Sequence, residues 1–348
     1  MKSGSAKRVT LAQVAEVAGV SVMTASYTYN QPSRVSDDAR SKVFMAAREL
    51  GYAGPDPSAR SLRRGSTGTL GVVLGEHLSY AFQDPQAASF LAGIADVCAD
   101  RGFAMTILPI TGAADDAARI QTAAVDGFVV WTTSDDDPIL KAVQAMRRPA
   151  VVHGGPAVRG LGLVSIDNRA AARAVGAVAF AGAARPAVMS FPLSRDRIST
   201  IVHGPEITGI LFPVTRERLQ GYRQAAKDVG IAWKDVLVAV CARNDAAEAQ
   251  LIAATLLSGP ERPDAIAAMS DEQAAGIARA ARTAGLVIPD DIALTGWDDA
   301  AAASQLGLTT VAQSMREQGA ACARSALGQQ PQSMVASWSV IRRTSTHP

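Results

Sequence analysis

At 348 residues, with 48% apolar and 19% charged side chains, the chain is long enough for two or three domains with separate cores and has the composition of a soluble globular protein. No stretch approaches the roughly 18 uninterrupted apolar residues of a membrane helix, and the basic start has no apolar run behind it, so the expected location is the cytoplasm. The net charge of +2 divides unevenly, because residues 1–64 carry ten Lys and Arg against five Asp and Glu, a basic head suited to meeting phosphate.

The head reads as short helices separated by tight turns. Thr10 can cap a helix through Ala18, with Leu11, Val14, Ala15 and Ala18 on one face. Gly19 supplies the sharp turn, Ser21 caps a second helix to about Asn30, and Pro32 stops it. Ser36 starts a third helix with Val43, Ala46, Ala47 and Leu50 as its buried stripe and Gly51 at its end. Residues 53–68, rich in Gly, Pro, Ser and Arg, form a linker with one short helical possibility at Ser58 to Arg63.

From Thr69 onward, short apolar runs alternate with amphipathic segments. Expected strands are Leu70 to Leu74, Ala104 to Leu108, Gly127 to Trp131, Ala150 to His153 and Leu163 to Ile166, then Ala187 to Ser190, Val236 to Val240, Ala265 to Met269 and Ile292 to Gly296. Expected helices include Gln86 to Arg101, Arg169 to Gly182, Arg216 to Val229, Asp245 to Leu257 and Glu272 to Ala284. This alternation predicts a doubly wound α/β architecture, and so many strands suit two parallel sheets better than one. Ligands of such sheets bind beyond the carboxyl ends of the strands, so the cleft between two lobes is the expected site. Cys98, Cys241 and Cys322 are far apart and read as buried apolar residues. His77, His153, His203 and His347 do not cluster, and neither a metal nor a cofactor is expected.

The segment 9–52 resembles the LacI family of repressors. The likeness is carried by VTLAQVAEVAGVS (9–21), Thr24 and Ser26, Asn30, RVS (34–36), Arg40, Lys42 with Val43, and ELGY (49–52). It continues through ARSL (59–62), SIDN (165–168), RLQGY (218–222), SDEQAAG (270–276), GLVIPDDIALTGWDD (285–299) and LTTVAQ (308–313). The resemblance implies a helix-turn-helix head over 1–53 and a hinge with a short helix over 54–67. A periplasmic-binding-protein-like body over 68–345 would follow, its N-lobe about 68–166 plus 312–328 and its C-lobe about 167–311 plus 329–345.

In a helix-turn-helix the second helix presents its first turn to base edges in the major groove. The specificity positions implied by the resemblance are Val22, Met23 and Tyr27, where many family members have arginine in place of the tyrosine. Val22 and Met23 offer no hydrogen bond and would read shape and thymine methyls. Thr10, Leu11, Ser21, Thr24, Ser26, Asn30, Arg34, Ser36 and Tyr52 match the family's phosphate or groove contacts. In the hinge, where two copies would meet over the minor groove, Ala59 and Leu62 are expected DNA contacts, Leu62 as a wedge between base pairs, with Arg60, Arg63 and Arg64 against phosphates. The spacing from Tyr52 to ARSL is one residue longer than the commoner family pattern.

For the cleft, Arg218 matches a family arginine that holds ligand hydroxyls or a carboxylate, while Asp298 and Asp271 follow strands at their carboxyl ends. Tyr80, Phe82, Asp84 and Trp131 are the candidates from the first lobe, with His153 in a similar position. The loop 191–213 lacks the family's wording. The expected effector is a small molecule, a carbohydrate by family precedent, and the expected partners are operator DNA and a second copy of the chain, because the ending after Trp338 shows no heptads for a tetramer. A transport-type sugar-binding protein is the alternative reading of the body, which the DNA-binding head disfavours. An enzyme is not expected, since no GxSxG elbow, GxxxxGK loop or HExxH pair occurs.

Overall fold

The helix-capping residues of the head act as their sequence positions require. In the computed structural model, which describes residues 9–54, 65–75, 82–131, 133–328 and 332–348, Thr10 and Gln13 form a reciprocal capping box on α1 (Leu11–Val17). Ser21 accepts the Thr24 amide at the start of α2 (Val22–Asn30), and Ser36 accepts that of Ala39 at the start of α3 (Asp37–Glu49). Gly19 turns the chain between α1 and α2 at φ +64°. The three helices bury Val14, Ala15, Ala25, Val43, Ala46 and Ala47 against one another. Leu50 and Tyr52 pack on this small core, with the Tyr52 ring edge-on to Tyr29 at 6.0 Å. The expected hinge helix at Ser58 to Arg63 lies outside the described residues, and so does Tyr80.

The chain forms two compact units, residues 1–68 and 69–348. In the second, the first sheet has the order β12-β5-β4-β3-β1-β2 and is parallel throughout. Its strands are β1 (Thr69–Leu74), β2 (Ala104–Pro109), β3 (Gly127–Trp131), β4 (Ala150–His153), β5 (Gly162–Ser165) and β12 (Met334–Val335). The helices α4 (Pro85–Arg101) and α12 (Met315–Ala326) cover one face. The other face carries α5 (Asp116–Gln121) and α6 (Pro138–Ala145). Both faces of β1 are therefore apolar, with Leu70, Val72 and Leu74 turned to one side and Val73 to the other.

The second sheet has the order β13-β11-β10-β9-β6-β8-β7. Its strands are β6 (Pro186–Ser190), β7 (Thr200–His203), β8 (Leu237–Val240), β9 (Ala265–Ala268), β10 (Ala293–Asp298), β11 (Thr309–Ala312) and β13 (Ser339–Ile341). Only the two edges, β7 and β13, run antiparallel to their neighbours among the described strands. α7 (Asn168–Ala179) and α8 (Pro213–Asp228) pack on one face, and α9 (Ala246–Ser258), α10 (Asp271–Thr283) and the short α11 (Ala301–Gln305) on the other. Cys98 and Cys322 lie in the core of the first lobe and Cys241 in that of the second, all unpaired and buried.

The chain passes between the sheets three times: after β5, after β11, and between β12 and β13. Residues 334 and 335 pair with β5, so this last passage follows Val335 and does not fall near 329, where the family pattern put the boundary. Two further differences concern short elements. β7 lies inside the stretch 191–213 read as loop, and β12 and β13 are too short to leave a periodic signal.

Candidate functional site

Two surfaces carry the chemistry expected from the sequence. On the head, the Ser21 cap starts α2 in a direction that leaves Val22 52% and Met23 64% exposed, while Ala25 and Thr28 face the core. Two large apolar side chains at an open helix start form a ready contact for apolar base edges. Tyr27 is half-buried beneath the Arg34 guanidinium, 5.7 Å from its ring centroid. The polar residues around them are already organised. Asn30 donates to the Ser26 carbonyl at 3.0 Å, and the Ser21 and Thr24 hydroxyls lie 2.8 Å apart. Thr10, Ser21 and Ser36 each accept a backbone N–H through oxygen, which uses a lone pair and not the hydroxyl proton. Leu11 and Tyr52 are half-buried, packed on the core of the head.

The second surface is a cavity of about 360 Å³ between the two sheets. The register of the first sheet puts Leu74 beside Trp131 and Trp131 beside His153, so the carboxyl ends of β1, β3 and β4 present these three in one row. All three line the cavity. Phe90 backs this row, stacked on Trp131 at 4.9 Å and tilted against His153 at 4.7 Å. Phe191 and Phe212 of the second lobe, with Met315 from the passage after β11, add apolar wall.

The polar groups are few and converge. Arg218, only 6% exposed, donates through Nε to Asn168 Oδ1 at 2.9 Å and through a terminal nitrogen to the Met269 carbonyl, and its guanidinium lies 3.7 Å from the Trp297 ring centroid. Burial lowers its pKa to about 10, partly offset by Asp298, so it stays protonated at neutral pH. Asp298 ends β10 with a left-handed φ of +104°, followed by Asp299 at +51°, a conformation costly for a side chain with a Cβ and typical of functional loops. Its pKa is raised to about 6 by burial, against the pull of Arg218 and of a hydrogen bond from Gln313.

Of the expected cleft residues, Asp84, Trp131, Arg218 and Asp298 line the cavity. Asp271 does not. Its carboxylate, 2% exposed, accepts the Thr310 hydroxyl at 2.8 Å and the Ala300 amide at 2.7 Å, tucked against Gly296, where a Cβ would meet it at 2.2 Å. It is a structural clamp behind β10. Phe82 is also misplaced, 62% exposed and absent from the cavity wall. Asn168 and Gln313, lying within SIDN and LTTVAQ, were legible as motif members but not as cleft residues. Gln318 and the Phe191 and Phe212 walls carried no sequence signal.

The lobes are also clasped across the mouth. Arg216 pairs with Asp135, Arg195 reaches Asp136 and the Ser134 hydroxyl, and Asn244 donates to Asp84 at 3.5 Å. Among the described residues no cluster of three metal-ligating side chains occurs, and no helix is long and apolar enough to cross a membrane.

A pH dependence follows from the carboxylates. Asp298 in the folded chain titrates near 6 and Asp271 near 7, both above the value of about 3.9 expected when unfolded. The native state therefore holds these protons to higher pH, so their contribution to stability is full below about pH 4 and declines as pH rises toward 7. His153, pulled down to about 4 by burial, acts oppositely and costs stability below its unfolded value of about 6.5. A ligand donating hydrogen bonds to Asp298 binds its ionised form more strongly, because a charged acceptor makes the stronger bond. Ligand-induced stabilisation, followed by thermal melting, should grow as pH rises through about 6 and then level off. In Asp298→Asn the residual response should be flat with pH, and a wild-type response already level from pH 5 upward would contradict the assignment.

Comparison with known proteins places these surfaces in context. Residues 10–54 match the model of bacterial regulatory proteins, lacI family, and residues 207–346 that of a periplasmic binding protein-like domain. An HTH-type transcriptional regulator of Mycobacterium tuberculosis is 35% identical over 318 residues, 90% of this chain and 89% of its own. The crystal structure of a LacI family regulator from Corynebacterium glutamicum aligns over 98% of this chain and 100% of its own, with 28% identity and a TM-score of 0.73. A complex of the regulator CelR with cellobiose aligns over 97% and 100%, with 25% identity and a TM-score of 0.68.

Proposed function

This chain belongs to the LacI family of bacterial transcription regulators, and on that premise we propose that it is a repressor whose operator affinity is set by a carbohydrate in the cleft between its lobes. Two copies act together on a near-palindromic site, each head laying α2 in a major groove. Val22, Met23 and Tyr27 read the bases, and Thr10, Leu11, Ser21, Thr24, Ser26, Asn30, Arg34, Ser36 and Tyr52 supply phosphate and groove contacts. In the hinge, Ala59 and Leu62 engage the minor groove and Arg60 and Arg63 the phosphates beside it. The observation that carries the reading is the open first turn of α2, where Val22 and Met23 project from a core that has no need of them. Because tyrosine cannot make arginine's bidentate pair with guanine, the operator differs from the family's usual one at the base facing Tyr27. A regulator of this kind works where the chromosome is, in the cytoplasm.

The cleft suits a polyol. Aromatic and apolar walls around a few convergent polar groups are the usual form of a small-molecule site, with Arg218 donating and Asp84 and Asp298 accepting. The bound CelR relative supports the same chemistry. The dimer is supported by apolar exposure on one edge of the second lobe. The Ser199 hydroxyl reaches Glu248 at 2.7 Å, which brings Ile198, 63% exposed, beside the start of α9, where Leu251 is 74% exposed.

The test is a duplex selected from a random pool and titrated at several ionic strengths. Affinity for that duplex should exceed that for random sequence and fall by about a thousandfold between roughly 50 and 200 mM monovalent salt. Absence of any preference over random sequence, with and without sugars, would overturn the proposal.

A further inference from the structure

We propose that Gln318 is a positioning residue for effector recognition: with Gln313 it forms a directional hydrogen-bond relay from His153 in the first lobe to Asp298 in the second, and so holds Asp298 as an acceptor for a ligand that donates. The inference rests on the cleft being the effector site, and its central residue, Gln318, belongs neither to the motifs that carry the family likeness nor to the charges of the cleft.

The direction of each link follows from the chemistry of its end groups. An ionised carboxylate accepts only, so Gln313 must turn its Nε2 toward Asp298 Oδ1, at 2.7 Å. That leaves Gln313 Oε1 facing Gln318, whose Nε2 donates to it at 3.0 Å. Gln318 then presents Oε1 to His153 Nε2, also at 3.0 Å. A carbonyl oxygen cannot donate, so the imidazole proton sits on Nε2. Burial keeps the ring neutral, with its pKa near 4, and Nδ1 is left as an unprotonated atom with no partner. Both amides and the imidazole are thus fixed in one orientation by the carboxylate at one end and the ring at the other.

The location gives the relay its consequence. Gln313 stands on the second passage between lobes and Gln318 on the first turn of α12, 2% exposed and inside the first lobe. With Oδ1 committed to Gln313, Asp298 keeps Oδ2 for the ligand. A ligand hydroxyl or N–H bonded there pulls on a chain of groups that ends beside Phe90 and Trp131. A ligand with only acceptors gains nothing at this position and would face the carboxylate unfavourably.

Two substitutions separate this role from packing. Gln318→Met keeps volume and removes both bonds, so His153 loses the group that selects its tautomer. Gln318→Glu keeps the shape and the bond from His153 but cannot donate to Gln313. The full-length protein labelled with ¹⁵N-histidine should show one buried imidazole with Nε2 protonated and Nδ1 bare at neutral pH, and Gln318→Met should shift that ring toward the other tautomer or a mixture. In parallel, a panel of D-ribose, D-glucose, D-galactose, cellobiose, maltose and sucrose is screened by melting point. The most stabilising sugar should bind both variants about tenfold more weakly, the expected effect of one misdirected buried hydrogen bond. A wild-type ring carrying its proton on Nδ1, or a Gln318→Met protein that binds the sugar as tightly as wild type, overturns the proposal. If no sugar of the panel stabilises the wild type, the carbohydrate reading of the cleft falls, and the imidazole spectrum still decides the relay.

Discussion

Replacing Arg218 with methionine is expected to abolish the melting response to the effector and to destabilise the second lobe by about 3 kcal/mol, the usual cost of removing one partner from a buried charged group. The side chain is held on every side but the one facing the cavity: Asn168 and the Met269 carbonyl accept its protons, and the Trp297 and Phe191 rings lie 3.7 and 5.5 Å from its charge. Methionine fills much of the volume but leaves those two oxygens without donors in a site that water reaches poorly. It also removes the positive charge that holds Asp298 down near 6, so the carboxylate's pKa would rise further and its use as a charged acceptor would weaken. Lysine should rescue only part of the loss, since one ammonium cannot reproduce the planar fork or the stacking on Trp297. Denaturant unfolding measures the first effect and sugar-dependent melting the second. An Arg218→Met protein as stable as the wild type, with an intact ligand response, would remove Arg218 from the site.

How much of this was legible beforehand depended on whether a feature is local. The head was read closely because its determinants are local: Thr10, Ser21 and Ser36 cap helices, Gly19 turns, and the spacing of Val43, Ala46 and Ala47 fixes a face. Most buried strands of the two sheets were equally plain, as unbroken apolar runs between helical segments, but β11 was not, because two of its four residues are threonine. β7 escaped because an edge strand is half solvated and its residues, Thr200 to His203, are exposed or partly so, with no apolar run to mark them. Asp271 was misjudged for a related reason. Sequence places it at the carboxyl end of β9, as it does Asp298 at that of β10, but only the fold shows that the missing side chain of Gly296 lets its carboxylate turn inward to Thr310 and Ala300. Gln313 and Gln318 were unreadable as a pair, because a neutral amide has no charge to draw notice and its role is set by partners distant in sequence, such as His153.

The largest loss of stability from a single methyl group is expected at Gly93. Glycine within a helix costs about 1 kcal/mol relative to alanine, so in an open position Gly93→Ala would stabilise α4. Here the added Cβ would lie 1.9 Å from the Arg316 carbonyl oxygen, and the reciprocal change Gly319→Ala would put a Cβ 2.1 Å from the carbonyl oxygen of Phe90. Both obstacles are backbone, which cannot rotate aside, so α4 and α12 must separate. The resulting overpacking and loss of contact should exceed the propensity gain and leave a net destabilisation of at least about 3 kcal/mol. The position also bears on the proposed relay. α12 carries Gln318 and begins just after Gln313, while Phe90 supports Trp131 and His153, so parting these helices shifts the first-lobe wall and the relay together. Gly176→Ala offers the internal comparison, since its nearest obstacles are the Ala225 and Tyr222 side chains at 2.9 Å and its loss should be smaller. Chemical denaturation of the three variants should rank Gly93→Ala and Gly319→Ala well below Gly176→Ala. A Gly93→Ala protein as stable as the wild type would mean that the two helices do not touch at their backbones.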